Sequence, residues 1–278
     1  QGCRAPISLR VNPDVDAQTH PYISTGLKDN KFGIAYHEVL KTYREAALLS
    51  HIDVVGIDCH IGSQITTIAP YLDAVDKVLD LVVHLKKEGI VIHHLDLGGG
   101  LGISYGAETP PDITEFTNAL LNHVAKRGFA HLDVVLEPGR SLVGNAGVLL
   151  TRVEYLKPGA EKNFCIVDAA MTELMRPALY EAYHAIVPIQ AKKLPHQTYD
   201  VVGPVCESGD WLGRDRTLAI AGGDYLAILS AGAYGFVMSS NYNTRPRPAE
   251  IMVDGDKAYV IRDRENVSDL FASERTLP

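Results

Sequence analysis

The chain has 278 residues and a formal net charge of −8 at pH 7, with 26 Lys and Arg against 34 Asp and Glu. This acidic balance argues against a nucleic-acid-binding protein, which needs a basic face, and the lack of an apolar run of about 18 residues argues against a transmembrane helix. The four cysteines show no CxxC spacing, which predicts free thiols and a cytoplasmic location.

The first half of the chain alternates predicted strands and helices. The apolar residues of the second helix recur at the spacing of one helical face, and Asp112 with Glu115 three residues later has the form of a capping box at the start of the third. Strands that recur about every 40 residues, with helices between them, predict parallel pairing with right-handed crossovers. Strands are predicted over residues 7–13, 52–62, 91–100 and 132–140, and helices over residues 36–50, 71–89 and 112–128.

Four β/α units amount to half of a TIM barrel, and an open doubly wound sheet is the alternative. After residue 145 the pattern changes to short apolar runs separated by turn formers such as Pro158-Gly159 and Asp254-Gly255. That pattern predicts a mostly antiparallel β domain. The sequence therefore predicts two domains, residues 1–145 and 146–278.

Three glycines, Gly98, Gly99 and Gly100, follow the third predicted strand in the stretch LDLGGGLG. Without a Cβ atom in the way, the backbone N–H groups of such a run can contact an anion directly. The alternative is a turn whose glycines only allow close packing. The spacing matches neither the usual dinucleotide-binding pattern nor a P-loop.

Two further motifs stand at predicted strand ends, where α/β folds place their sites. In EPGR, Glu137 can hold a proton on a heterocyclic nitrogen and Arg140 can bind a carboxylate or phosphate, the alternative being a local ion pair. In HIGSQ, His60 can stack on an aromatic ring and Ser63 can donate to a phosphate oxygen, although a structural histidine is the simpler interpretation. No group of residues has metal-ligand spacing, so no metal is expected.

The second half contains further reactive side chains. Cys206 stands beside Glu207 and can act as a proton donor or a nucleophile, unless it is an inert core cysteine. Arg176 and Tyr180 are spaced to share one helical face. Tyr234 lies between small residues. Arg245 and Arg247 are interpreted as surface charges without a special role.

In this order, the motifs resemble those of the diaminopimelate decarboxylases, a family in the alanine-racemase-like group of pyridoxal-phosphate enzymes. The resemblance spans nearly the whole chain and implies the C-terminal half of a (β/α)8 TIM barrel that binds the cofactor, followed by a β-sandwich or barrel-like domain that contributes substrate and dimer contacts. The matching stretches are RVNPDVDAQTHPYISTGLKDNKFGI, HIGSQ, LDLGGGLGI, EPGRSLVGNAG, MRPALYEAYH, GPVCESGD and GAYGFVMSSNYNTRPRPAE.

The resemblance also implies a role for each motif residue. His60 would stack on the ring of pyridoxal 5'-phosphate, Glu137 would keep its ring nitrogen protonated, and Cys206, from the partner subunit of a homodimer, would deliver a proton. The implied cofactor-binding residues are His60, Ser63, Gly98, Gly99, Gly100, Glu137, Pro138, Gly139, Arg140 and Tyr234. The implied substrate-binding residues are Arg140, Arg176, Tyr180, Glu207 and Tyr234.

The implied reaction is decarboxylation of meso-2,6-diaminopimelate to L-lysine and CO₂, the last step of lysine biosynthesis. One alternative is a decarboxylase for another basic amino acid or for carboxynorspermidine. Another is a non-catalytic protein that retains the fold to bind a partner or a pyridoxal species.

The chain departs from the family pattern at one essential residue. The family attaches its cofactor to a lysine on an early barrel strand, in an ALKAN-like context that this chain lacks. Its lysines stand in polar or amphipathic settings, as at Lys28, Lys86, Lys87 and Lys192. We therefore expect a truncated chain that is inactive alone and poorly stable because strand edges are exposed.

Overall fold

The computed structural model describes residues 2–16 and 31–277. The chain forms two compact units, Gln1–Leu142 and Val143–Pro278. Part of the STGLKDNKFGI stretch, including Lys28, lies outside the described residues. None of the helices in the described ranges is long and apolar enough to cross a lipid bilayer.

The first unit contains a five-stranded sheet in the order β2-β1-β3-β4-β5, in which every neighbouring pair is parallel. This arrangement confirms the predicted alternation of parallel strands and helices. Because the strands are parallel, their C-terminal ends meet along one edge of the sheet. The strands are β1 (Ala5–Asn12), β2 (Ile34–Ala35), β3 (Ile52–Asp58), β4 (His94–Asp96) and β5 (Asp133–Val135).

The three longer helices of this unit, α1 to α3, pack an apolar face onto the sheet. In α2, Val75, Val78 and Leu79 are buried, as the helical spacing predicts. Asp112 caps α3, since its side chain accepts hydrogen bonds from the backbone N–H groups of Thr114 and Glu115. The helices are α1 (Val39–Ala47), α2 (Ala69–Lys87), α3 (Ile113–Lys126) and α4 (Arg140–Val143).

Three strands end earlier than their apolar runs predict. The predicted strand over 91–100 stops at Asp96 because Gly98 and Gly100 have φ angles of +67° and +103°, which extended backbone does not allow. The predicted strands over 52–62 and 132–140 likewise end at Asp58 and Val135. The functional motifs therefore lie in loops that follow the strands.

The second unit contains a six-stranded sheet in the order β10-β9-β7-β6-β11-β8 and a separate antiparallel hairpin of β12 and β13. The pairs are antiparallel, as predicted, except that β7 and β9 are parallel. The elements are β6 (Leu149–Lys157), β7 (Asn163–Val167), α5 (Arg176–Tyr180), β8 (Ile186–Pro188), β9 (Gln197–Val202), β10 (Trp211–Leu218), β11 (Tyr225–Ile228), β12 (Glu250–Asp254), β13 (Lys257–Arg262) and α6 (Val267–Leu270).

Candidate functional site

The loops that follow β3, β4 and β5 are hydrogen-bonded to one another. The Cys59 N–H donates to the Asp96 carbonyl at 3.0 Å, and the Glu137 N–H donates to the Gly98 carbonyl at 2.9 Å. These bonds extend the pairing beyond the strands. As a result, the His60, glycine and EPGR motifs lie side by side at one edge of the first unit.

The glycine loop has no room for side chains. A Cβ atom on Gly99 would lie 2.2 Å from the Glu137 carbonyl oxygen, and one on Gly100 would lie 2.2 Å from the Gly62 carbonyl oxygen. Both distances are far below van der Waals contact. Close packing of the two flanking loops therefore requires glycine at both positions, and the phosphate-binding role that the resemblance implies stays a prediction.

His60 is half-buried, and its orientation is set by the glycine loop. Its Nδ1 accepts a hydrogen bond from the Gly99 N–H at 3.2 Å. Burial, with a smaller contribution from Arg10, lowers the pKa of His60. Since Nδ1 is an acceptor, the neutral ring carries its proton on Nε2. The residue therefore presents a flat, uncharged imidazole at the strand ends.

Arg140 is buried, with 6% of its surface exposed, and it contacts hydroxyl groups. Its Nη2 donates to Ser63 Oγ at 3.0 Å, and its Nη1 donates to the Tyr105 hydroxyl. The Tyr105 ring also lies 5.7 Å from the guanidinium carbon. Sequence reasoning missed Tyr105, although it stands only five positions after the last of the three glycines.

Glu137 belongs to a group of three carboxylates that sequence reasoning did not identify. Oxygen atoms of Asp58, Asp96 and Glu137 all lie within 4.8 Å of one another. Burial, then the Asp96 charge, raises the pKa of Asp58 to about 6, while Arg10 opposes the shift. Together the three acids create a negative potential that favours a cationic group beside Glu137.

We expect the Asp58→Asn variant to be more stable than the unchanged protein above pH 6. The folded-state pKa of Asp58 is raised, so its cost to stability grows as pH rises from about 4 to about 6 and is constant above that range. Allowing for partial screening, the gain should be about 1–3 kcal/mol. Urea unfolding of the cofactor-free, full-length protein at pH 4 and pH 7.5 measures it. An equal effect at both pH values would contradict the assignment.

Four of the predicted site residues of the second unit lie in two segments, the short helix α5 and the turn between β9 and β10. Arg176 and Tyr180 are the first and last residues of α5, and Arg176 is buried while Tyr180 is half-buried. Cys206 and Glu207 are exposed in the turn between β9 and β10. Cys206 therefore differs from Cys165, whose thiol is buried in the core and has a pKa raised to about 12 by that burial.

The turn that carries Cys206 is held by Asp210, which is 3% exposed. Its carboxylate oxygens accept from the backbone N–H groups of Met171 at 2.7 Å and Val205 at 2.8 Å. The Tyr242 hydroxyl donates a hydrogen bond to the neighbouring Glu207 carboxylate, which raises the pKa of Tyr242. The thiol and the carboxylate thus project from a turn whose backbone is fixed.

Tyr234 has a φ of +57° and is 41% exposed. From the sequence, Arg245 and Arg247 are interpreted as surface charges without a special role, but in the structure both form specific contacts. Arg245 donates to the Asp168 carbonyl at 2.7 Å, and Arg247 forms an ion pair with Glu265 at 2.9 Å. These contacts fix the C-terminal segment within the second unit.

The family described as "Pyridoxal-dependent decarboxylase, pyridoxal binding domain" matches residues 2–144. The chain is 57% identical over 277 residues to the diaminopimelate decarboxylases of Vibrio cholerae and Pseudomonas aeruginosa, and it spans 66% of the length of each. Among solved structures, it is similar to the Helicobacter pylori diaminopimelate decarboxylase complexed with L-lysine, with a TM-score of 0.92 and 42% identity. That match covers 98% of this chain and 67% of the other.

Proposed function

The chain belongs to the pyridoxal-dependent decarboxylases, in the diaminopimelate decarboxylase family, and on this basis we propose that the full-length protein converts meso-2,6-diaminopimelate to L-lysine and CO₂. The observation that carries the proposal is the convergence of His60, Gly99 and Glu137 at the ends of adjacent parallel strands. This convergence lies in the unit that matches the pyridoxal-binding family.

The side chains at this edge of the sheet fit pyridoxal phosphate. Ser63 Oγ accepts from Arg140, so its own hydroxyl proton is available for a phosphate oxygen. The neutral His60 ring offers a flat face to an aromatic ring, and Glu137 offers a carboxylate to a protonated ring nitrogen. When bound, pyridoxal phosphate supplies an acceptor for the electron pair left as CO₂ departs.

No described lysine of the first unit stands where the family attaches its cofactor, on an early barrel strand. In the described part of the first unit, Lys31 precedes β2 and the other lysines stand on helices, as at Lys41, Lys77 and Lys126. None of these follows a strand. We infer that the lysine comes from the part of the longer protein that this chain does not span.

In the second unit, Arg176 and Tyr180 would hold the carboxylate at the non-reacting end of the substrate. A guanidinium binds a carboxylate through paired hydrogen bonds. Glu207 would contact the ammonium group of that same end, and Tyr234 would contribute to cofactor and substrate binding. Cys206 would deliver the proton that replaces CO₂.

We further propose that the protein acts as a homodimer in the cytoplasm. The exposure of Cys206 and Glu207 supports a dimer, because these side chains are accessible to a partner subunit. The four free cysteines support a reducing compartment.

A panel of substrates tests the proposed activity. With the full-length protein, kcat/KM for meso-diaminopimelate should exceed that for ornithine by about 10⁴-fold, because ornithine leaves the buried Arg176 without its carboxylate. L-Lysine, arginine and carboxynorspermidine complete the panel. A preference for any of these would support the alternative decarboxylase. Pyridoxal binding without turnover of any substrate would support the non-catalytic alternative.

A further inference from the structure

Arg176 is linked to the sheet of the second unit through a buried histidine. Arg176 Nη1 lies 2.8 Å from His184 Nε2, and His184 Nδ1 lies 2.8 Å from the Leu229 carbonyl oxygen. Arg176 is 5% exposed and His184 is 0% exposed. The histidine therefore forms hydrogen bonds to a side chain on one ring nitrogen and to the backbone on the other.

The chemistry of the two partners determines which nitrogen of His184 carries the proton. A carbonyl oxygen can only accept, so Nδ1 must be the donor. A guanidinium can only donate, so Nε2 must be the acceptor. His184 is consequently neutral, with its proton on Nδ1, and a second proton would place an N–H group against the Arg176 N–H.

The backbone at Leu229, where the linkage from Arg176 through His184 ends, is held by a β-sheet hydrogen bond. The Leu229 N–H donates to the Ala185 carbonyl at 2.8 Å, which continues the pairing of β11 with β8. Leu229, whose carbonyl contacts the His184 ring, and Ala185, which follows His184 in the chain, are therefore both held by this pairing. By contrast, α5 has only five residues and is followed by Glu181 in the left-handed region, so the helix alone offers limited restraint to a long arginine side chain.

We propose that His184 is a positioning residue that fixes the Arg176 guanidinium for the carboxylate at the non-reacting end of the substrate. This inference rests on the proposed function of Arg176. Because the arginine side chain has several rotatable bonds, a guanidinium already held in place loses less freedom when the substrate binds. His184 would thereby contribute to the preference for substrates that carry this carboxylate.

The test compares two variants of the full-length holoenzyme. His184→Leu removes both hydrogen bonds, and we expect KM for meso-diaminopimelate to rise between about 10- and 100-fold with a smaller change in kcat. His184→Gln retains an N–H donor for the Leu229 carbonyl and an oxygen acceptor for Arg176. It should restore KM to within about threefold of the unchanged protein.

Thr151→Val is the matched control. Thr151 is 2% exposed in the same unit, and its hydroxyl bonds Asp168 at 2.7 Å. The variant should lower thermal stability without raising KM. A Gln variant as impaired as the Leu variant would overturn the hydrogen-bonding role and point to packing alone.

Arg176→Ala separates this inference from the function on which it rests. If Arg176→Ala raises KM and His184→Leu does not, the positioning role of His184 is overturned and the function stands. If Arg176→Ala leaves KM unchanged, the substrate role of Arg176 fails, and this inference fails with it. Independently of activity, ¹⁵N NMR of histidine-labelled protein should show His184 protonated on Nδ1. A proton on Nε2 would overturn the proposal even if the Leu variant does not fold.

Discussion

The Cys206→Ala variant of the full-length protein should turn over meso-diaminopimelate about 10² to 10⁴ times more slowly than the unchanged protein, the usual contribution of a positioned proton donor. Cys206 is exposed on a turn whose backbone is held by the buried Asp210 carboxylate. Alanine removes the only transferable proton of that side chain and leaves the turn intact. Bound pyridoxal phosphate should remain visible in the absorbance spectrum.

Cys165→Ala is the matched control for this prediction. The Cys165 thiol is fully buried in β7, where burial raises its pKa to about 12. Its loss should lower stability and leave turnover unchanged. Equal turnover in the Cys206→Ala variant and the unchanged protein would contradict the proton-donor role.

The Glu137→Gln variant should lose about 10²- to 10³-fold in turnover, the cost of removing one electrostatic group at a reacting centre. Glutamine has the same shape but no charge, so it cannot hold a proton on the ring nitrogen of the cofactor. The backbone contact between the Glu137 N–H and the Gly98 carbonyl does not depend on the side chain. The fold should therefore persist, and steady-state kinetics with spectroscopy of the bound cofactor measures the effect.

Glu115→Gln provides the same chemical change on the exposed first turn of α3 and should leave turnover unchanged. Turnover of the Glu137→Gln variant within about twofold of the unchanged protein would overturn the role of Glu137.

Mixing the Cys206→Ala and Glu137→Gln variants tests whether active sites are shared between subunits. When equal amounts of the two variants reassociate at random, half of the dimers are heterodimers. If Cys206 of the partner subunit completes each site, every heterodimer has one native site. Activity should then return to about a quarter of that of the unchanged protein. No recovery after subunit exchange would show that each chain supplies both residues to its own site.

The parts of the fold that follow from local patterns could be predicted from the sequence. The buried face of α2 follows from a period of 3.6 residues, and the Asp112 cap follows from an acceptor placed just before a helix. Strand ends were less predictable because the apolar runs continue into the loops. The end of β4 becomes clear only from the positive φ angles of Gly98 and Gly100, which extended backbone does not adopt.

Contacts that join distant segments had no local signal. Asp58, Asp96 and Glu137 follow different strands, so their proximity depends on sheet order. Tyr105 and Arg140 are 35 positions apart, and the pairing of their side chains depends on how the loop after β4 packs against the start of α4. His184 lies within a recognised motif, yet its role emerges only from the position of the Leu229 carbonyl. Sequence alone therefore predicts candidate reactive side chains, whose roles stay predictions, and gives no indication of the residues that orient them.

The most direct test of the account is product formation by the full-length protein after its cofactor has been removed and then restored. Supplied with meso-2,6-diaminopimelate and pyridoxal phosphate, the protein should release L-lysine and CO₂ in equal amounts, and neither should form before the cofactor is added. Failure to form lysine while pyridoxal phosphate is demonstrably bound would contradict the account.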